Sequence, residues 1–257
     1  MKQTIITKLE ALEKKHTVVI LYAVESGSRA WGFASPDSDY DVRFIYIHPT
    51  GWYLSIADKK NVIELPIENN LDINGWDIRK ALHLFRKSNP TLLEWLNSPI
   101  CYKKQALFIQ HLRDLLPQYF SPRGTIYHYL HMAENNYKTY LQTDLVKIKK
   151  YFYVLRPILA CMWIERYNAM APVEFEKLYE QLLPHGSLKN EIIKLLERKI
   201  AGDELSLEPQ VKIINDFLDE KITHFRTYVQ GAEEALTADI EPLDSLFHET
   251  LKNISSL

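Results

Sequence analysis

Glu25-Ser-Gly-Ser-Arg-Ala-Trp-Gly-Phe-Ala-Ser-Pro-Asp-Ser-Asp-Tyr-Asp-Val-Arg-Phe-Ile-Tyr-Ile-His48 is the stretch whose reading decides this chain. It follows Val18 to Glu25, a β-branched apolar run that reads as a buried strand. Gly27-Ser28 makes a turn, residues 29–33 a short helix, and residues 39–48 a second strand. Phosphate oxygens need N–H donors at close range, and a glycine lets the backbone approach with no Cβ in the way. A helix starting just after the turn aims its positive end at the same place, and Ser28 adds a hydroxyl. Taken alone, such a turn is an ordinary strand-to-helix connection. Asp39 and Asp41, spaced i and i+2, fall on one face of the second strand. Like charges side by side repel unless a cation neutralises them. Mg²⁺ takes one or two carboxylates together with phosphate oxygens. A solvated strand entrance also uses Asp, Ser and Pro, but turn and carboxylate pair together point to phosphoryl transfer.

Two other users of Asp-x-Asp fit less well. A haloacid-dehalogenase type needs an apolar strand leading into its first Asp, whereas Ala34-Ser-Pro-Asp-Ser38 precedes Asp39 here. The metal-binding Asp-x-Asp of nucleotide-sugar glycosyltransferases has no need of the Gly-Ser turn. A third carboxylate would complete a two-metal site and take the proton from an attacking hydroxyl. Asp72, flanked by Leu71 and Ile73 in a strand-like segment, is the first candidate. Asp77, which a helix N-cap also explains, is the second, and Glu64 is weaker.

Outward from this core, residues 2–14 read as an amphipathic helix, 62–65 and 71–76 as strands, and 77–86 and 91–96 as helices. Beyond about residue 105 helical periodicity takes over, at 105–116, 122–142, 144–168, 172–183, 187–201, 208–234 and 241–254, punctuated by prolines. The expectation is an α+β chain: a mixed sheet with flanking helices over 1–105, then an all-helical domain over 106–257.

With 257 residues, net charge −2 and pI near 6.5, no global field draws nucleic acid to the chain. Cys101 and Cys161 make no disulfide framework, which suits a reduced cytoplasmic setting. The N-terminus lacks a signal peptide's features, and the most lipophilic stretch, 151–164, is interrupted by Arg156 and Pro157. A buried helix is expected there and no membrane partner. Lys147, Lys149, Lys150 and Arg156 lie around that helix with Tyr151 and Tyr153. Lys150 and Arg156 are candidates for phosphate or base contacts, against the plainer reading of solvated lysines and core aromatics. Arg156, within an apolar run, needs an anionic partner if buried. Arg29 and Arg43 flank the turn and strand, and each could touch phosphate or pair with an aspartate. His128, His131 and Glu134 are spaced for a metal but sit in a packed, tyrosine-rich helix.

The Gly27-Ser28, Gly32 and Asp39-x-Asp41 pattern resembles the signature of the DNA polymerase β-like nucleotidyltransferase superfamily. Glu25 to Gly32, Asp39-Tyr-Asp-Val-Arg43, Asp72 to Leu82, Asn89-Pro90, Glu94 to Pro99 and Lys149 to Arg156 are similar to its RlaP-type branch, named for an RNA-repair pathway. The resemblance implies a polymerase β-like palm and transfer of a nucleoside monophosphate from an NTP to an acceptor hydroxyl, with Mg²⁺ (or Mn²⁺) as cofactor. It implies that Gly27 and Ser28 hold the triphosphate, with Arg29, Lys150 and Arg156 on the nucleotide. Asp39 and Asp41 would ligate metal, and Asp72, the third acidic residue, would share the catalytic metal with Asp41 and assist deprotonation. RNA as acceptor follows from the branch's name alone. An AMP-transferring modifier of protein hydroxyls, a small-molecule acceptor, and a weakly catalytic NTP-sensing or partner-binding module stay open.

Overall fold

The protein is represented by a computed structural model that describes residues 1–203, 207–230 and 238–254. Its contacts divide the chain into two compact units. The first comprises Met1–Gly27, Asp39–Phe120 and the C-terminal segment; the second comprises Ser28–Ser38 and the chain from Ser121 onward to that segment.

The first unit is built on α1 (Lys2–His16), β1 (Val19–Ser26), β2 (Tyr40–Ile47), α3 (Thr50–Tyr53), β3 (Val62–Glu64), β4 (Leu71–Asp77), α4 (Ile78–Arg86), α5 (Pro90–Leu96), β5 (Cys101–Lys104) and α6 (Ala106–Tyr119). Between β1 and β2, α2 (Gly27–Ala30) begins at the last residue of the first unit and continues in the second. The strands form one sheet in the order β3-β4-β2-β1-β5, with β2 and β4 parallel and every other pair antiparallel. Ile5, Leu9 and Leu12, one stripe of α1, bury against Ile20, Val42, Phe44, Tyr46, Leu71 and Ile73 on one face. Asp41 and Arg43 alternate with Val42 and Phe44, so they belong to the other face. At Gly75, opposite Phe44, a side chain would collide with the phenyl ring, which a built Cβ would meet at 2.2 Å.

The second unit is helical, with α7 (Pro122–Tyr140), α8 (Ile148–Tyr167), α9 (Phe175–Leu182), α10 (Ser187–Ile200) and α11 (Lys212–Val229); α12 (Glu241–Ile254) belongs to the first unit. Nearly the whole circumference of α8 is buried, from Ile148 through Phe152, Leu155 and Leu159 to Ile164, so it is the unit's central helix. Among the described residues no helix is long and apolar enough to cross a membrane. A small β6–β7 ribbon, Leu145–Lys147 with Leu207–Pro209, takes the first turn of the helix expected from residue 144 and the start of the one expected from 208. Residues 231–234 of the latter expectation lie outside the described residues. Pro117 falls inside α6 instead of ending it, and α8 runs through Pro157 as the helix expected over 144–168 does. The architecture is α+β, a mixed sheet with flanking helices joined to a helical C-terminal region.

Candidate active site

β1 and β2 run antiparallel with Ser26 opposite Asp41, which delivers the following residue, Gly27, to the Asp41 side chain. Gly27 has φ of +59°, and a Cβ built on it would lie 2.1 Å from Asp41 Oδ2. Only a residue without a side chain permits this approach. The glycine at the bend is therefore required twice, by its backbone angle and by the carboxylate packed on it.

The parallel register of β2 and β4 sets Asp41 directly opposite Asp72. Arg43 lies on the same face as Asp41 and spans the two carboxylates. Its Nη2 donates to Asp41 Oδ1 at 3.0 Å and to Asp72 Oδ2 at 2.7 Å. Its Nη1 donates to the carbonyls of Val42 and Asp72, each at 3.1 Å. Sequence left Arg43 between phosphate and aspartate; the structure pairs it with two aspartates. Behind Asp41 stands Glu25, wholly buried, whose Oε1 accepts the Asp41 backbone N–H at 2.7 Å and whose Oε2 accepts the Tyr102 hydroxyl. The sequence pattern alone gives Glu25 no role. Its position as the last core residue of a strand before a phosphate-type turn was the available signal.

Asp39 stands one residue ahead of β2 and is exposed. Asp77 occupies the opposite end of β4 from Asp72, paired with Tyr46. It is fully buried and caps α4, with Oδ1 accepting Arg79 N–H at 2.9 Å and Oδ2 accepting the Tyr53 hydroxyl at 2.8 Å. Burial, with the Asp77 carboxylate adding to it, pushes the Tyr53 phenol well above its ordinary range. Five residues of strand separate the two acids, roughly 16 Å, so Asp77 cannot share a ligand with Asp41. Glu64 accepts from Asn74 Nδ2 at 2.8 Å.

The remaining candidates belong to the second unit. Ser28 accepts the Phe33 N–H at its carbonyl (3.0 Å), and Arg29 Nη2 donates to the Ser38 carbonyl at 2.7 Å, bracing the loop between them. Lys199, itself buried, reaches Ser38 Oγ at 3.1 Å. Trp31 is pinned by its carbonyl, which accepts the Phe175 N–H at 2.9 Å. Arg156 is only 2% exposed; its guanidinium donates to the Val173 carbonyl at 3.3 Å and lies 4.9 Å from the Trp31 ring. Burial alone would raise the Glu174 carboxyl, but Lys177's hydrogen bond and charge, with Arg156's charge, hold it below the usual range. The Lys150 ammonium sits 3.7 Å from the Tyr140 ring centre and 5.0 Å from that of Tyr153.

Among the described residues, no group of three or more His, Cys, Asp or Glu side chains is arranged to hold a metal ion. The donor chemistry of Asp39 and Asp41 fits one hard cation that takes its remaining ligands from phosphate and water. The gap between Asp41 and Asp72 holds a guanidinium, so a second ion there does not fit the arrangement as it stands.

The sequence is 49% identical over 253 residues to the uncharacterized protein YcgL of Bacillus subtilis (strain 168), covering 98% of this chain and 96% of that one. Among solved structures, the nucleotidyltransferase-like protein from Exiguobacterium sibiricum 255-15 aligns over 98% of this chain and 89% of its own, with TM-score 0.32 and 11% identity. Residues 1–249 match the RlaP family, described as the RNA repair pathway DNA polymerase beta family. A match that runs through both units, together with the Gly-Ser bend seated on an aspartate, leaves one conclusion: the chain belongs to the RNA repair pathway DNA polymerase beta family.

Proposed function

We propose that this protein transfers a nucleoside monophosphate from an NTP to an acceptor hydroxyl, releasing pyrophosphate, with RNA as the acceptor class that the family's description suggests. The observation carrying this reading is the seat of Asp41 Oδ2 against Gly27, where no Cβ could stand. A glycine bend packed directly on a carboxylate suits a metal-bound triphosphate. The catalytic domain in this reading is residues 1–105, and 106–257 is the helical domain.

Gly27 N–H and the Ser28 hydroxyl bind triphosphate oxygens, and Arg29 and Lys150 supply positive charge to the nucleotide. Arg156, buried beneath Trp31, acts as a positioning residue. Asp39 and Asp41 would hold Mg²⁺, which when bound neutralises phosphate charge. Asp72 accepts the proton from the attacking acceptor hydroxyl as the oxygen approaches the α-phosphorus. Glu25 holds the Asp41 backbone and Arg43 its carboxylate, so the side chain is oriented before nucleotide arrives. Fixed donors and acceptors of this kind lower the barrier by positioning and charge stabilisation.

A second reading, a nucleotide-sensing module with little turnover, is favoured by the guanidinium already spanning Asp41 and Asp72. One experiment separates the two. Purified protein is incubated with α-³²P-labelled NTPs and Mg²⁺ or Mn²⁺, in turn with RNA, with cell-lysate protein and with small hydroxyl compounds. Label transfer that disappears in Asp39→Ala/Asp41→Ala carries the transferase reading. Nucleotide binding with no transfer to any of these acceptors turns the assignment to the sensor.

A further inference from the structure

Arg43 is held by four acceptors, and two of them are backbone carbonyls that a metal ion would leave unchanged. Its side chain is 19% exposed and those of Asp41 and Asp72 are 26% and 27% exposed. A planar guanidinium suits this task because its fixed fork can face two carboxylates and two carbonyls at once, which a lysine ammonium cannot. The carboxylate pair therefore has a cation of its own before any metal arrives.

That cation engages Asp41, the carboxylate a divalent ion would need. Asp41 Oδ1 and Asp72 Oδ2 each accept a hydrogen bond from Arg43 Nη2. An ion bound at Asp41 sits beside the like charge of Arg43, and each cation weakens the hold of the other on the carboxylate. Nucleotide phosphates alter the balance, because they bring additional oxygen donors and negative charge to the same place.

We propose that Arg43 is a resident counter-cation that ties Asp41 to Asp72 and competes with divalent metal for Asp41, so that metal is held tightly only when it arrives with nucleotide phosphates. This deepens the nucleotidyltransferase reading and rests on it, since it takes Asp41 as a metal ligand. It departs from a simple structural ion pair in the sign of one effect: removing the arginine strengthens metal binding.

The test is a Mn²⁺ titration of the full-length protein, with unbound Mn²⁺ read by electron paramagnetic resonance, alone and with α,β-methylene-ATP. Wild type is expected to bind Mn²⁺ weakly alone and tightly with the analogue. Arg43→Gln is expected to bind Mn²⁺ alone roughly 10- to 100-fold more tightly than wild type, the range set by hydrogen bonds between charged groups. Arg43→Lys keeps the charge without the fork and should fall between the two. A folded Arg43→Gln with Mn²⁺ affinity equal to or below wild type overturns the proposal. If circular dichroism shows Arg43→Gln unfolded, Arg43→Lys decides, and wild-type affinity in it overturns the proposal equally. Undiminished Mn²⁺ binding in Asp39→Asn/Asp41→Asn would instead remove the carboxylates as ligands and the nucleotidyltransferase assignment with them.

Discussion

Replacing Gly27 by alanine tests the packing at the centre of the site without assuming any activity. The new Cβ would lie 2.1 Å from Asp41 Oδ2 and 2.9 Å from Asp41 Cγ. Ordinary contact requires the carboxylate to retreat by roughly 1 Å or more. That retreat breaks the 3.0 Å bond from Arg43 Nη2. A hydrogen bond between charged groups is worth about 1.5–3 kcal/mol, which its partial exposure places at the lower end. The left-handed backbone angle of +59° adds about 1–2 kcal/mol for a residue with a Cβ. The expected loss is about 3 kcal/mol, measured by urea denaturation followed by circular dichroism. Two controls separate the contributions. Gly32 has φ of +88° with nothing within 4 Å, so Gly32→Ala should cost only the backbone part, about 1–2 kcal/mol. Gly51, in α3, has no neighbour within 4 Å of a built Cβ and should tolerate alanine with little change. The decisive measurement is the cycle of Gly27→Ala, Asp41→Ala and the double variant. With the carboxylate gone, the alanine penalty should fall to the backbone part, giving a coupling of about 1–2 kcal/mol. Additive single effects, within about 0.5 kcal/mol, would refute the close packing of Gly27 on Asp41.

The cap at the far end of β4 and the buried phenols give independent checks. Asp77→Ala removes the acceptor for Arg79 N–H and for the buried Tyr53 hydroxyl, and should cost about 2–4 kcal/mol in urea denaturation. A loss below about 1 kcal/mol would contradict the capping role. Burial pushes the Tyr22 phenol up from 10.0 to about 12. The folded protein thus keeps a proton that the unfolded chain releases, so this stability is fully present below pH 10 and is lost as pH rises towards 12. The gap corresponds to about 2–3 kcal/mol. Tyr22→Phe should flatten the decline of stability over that interval, and an unchanged slope would show that Tyr22 does not contribute.

Much of the first unit was legible because its signals are local. The run Val18 to Glu25 appears as β1 and Asp77 caps the helix it precedes, while the short helix expected over 29–33 starts two residues early as α2 and takes in the Gly27-Ser28 turn itself. Alternation, turn chemistry and capping depend on neighbours a few residues away, and the chain order supplies them. The short elements α3, β5, β6 and β7 were not legible. Segments of three or four residues carry no measurable period, and each of these strands exists only through a partner distant in the chain. The same limit explains why Ser28–Ser38 is grouped by contact with the helical residues rather than with the strands on either side of it.

For the site, the residue types that suit phosphoryl transfer and membership of the family are properties of the sequence itself. The tertiary structure decided who faces whom. The parallel register of β2 and β4 sets Asp72, not Asp77, across from Asp41, turns Arg43 onto both carboxylates and leaves Glu25 holding Asp41 from behind. Strand register comes from hydrogen bonds between segments far apart in the chain and from the burial of one face on α1, so no local pattern of residues could state it.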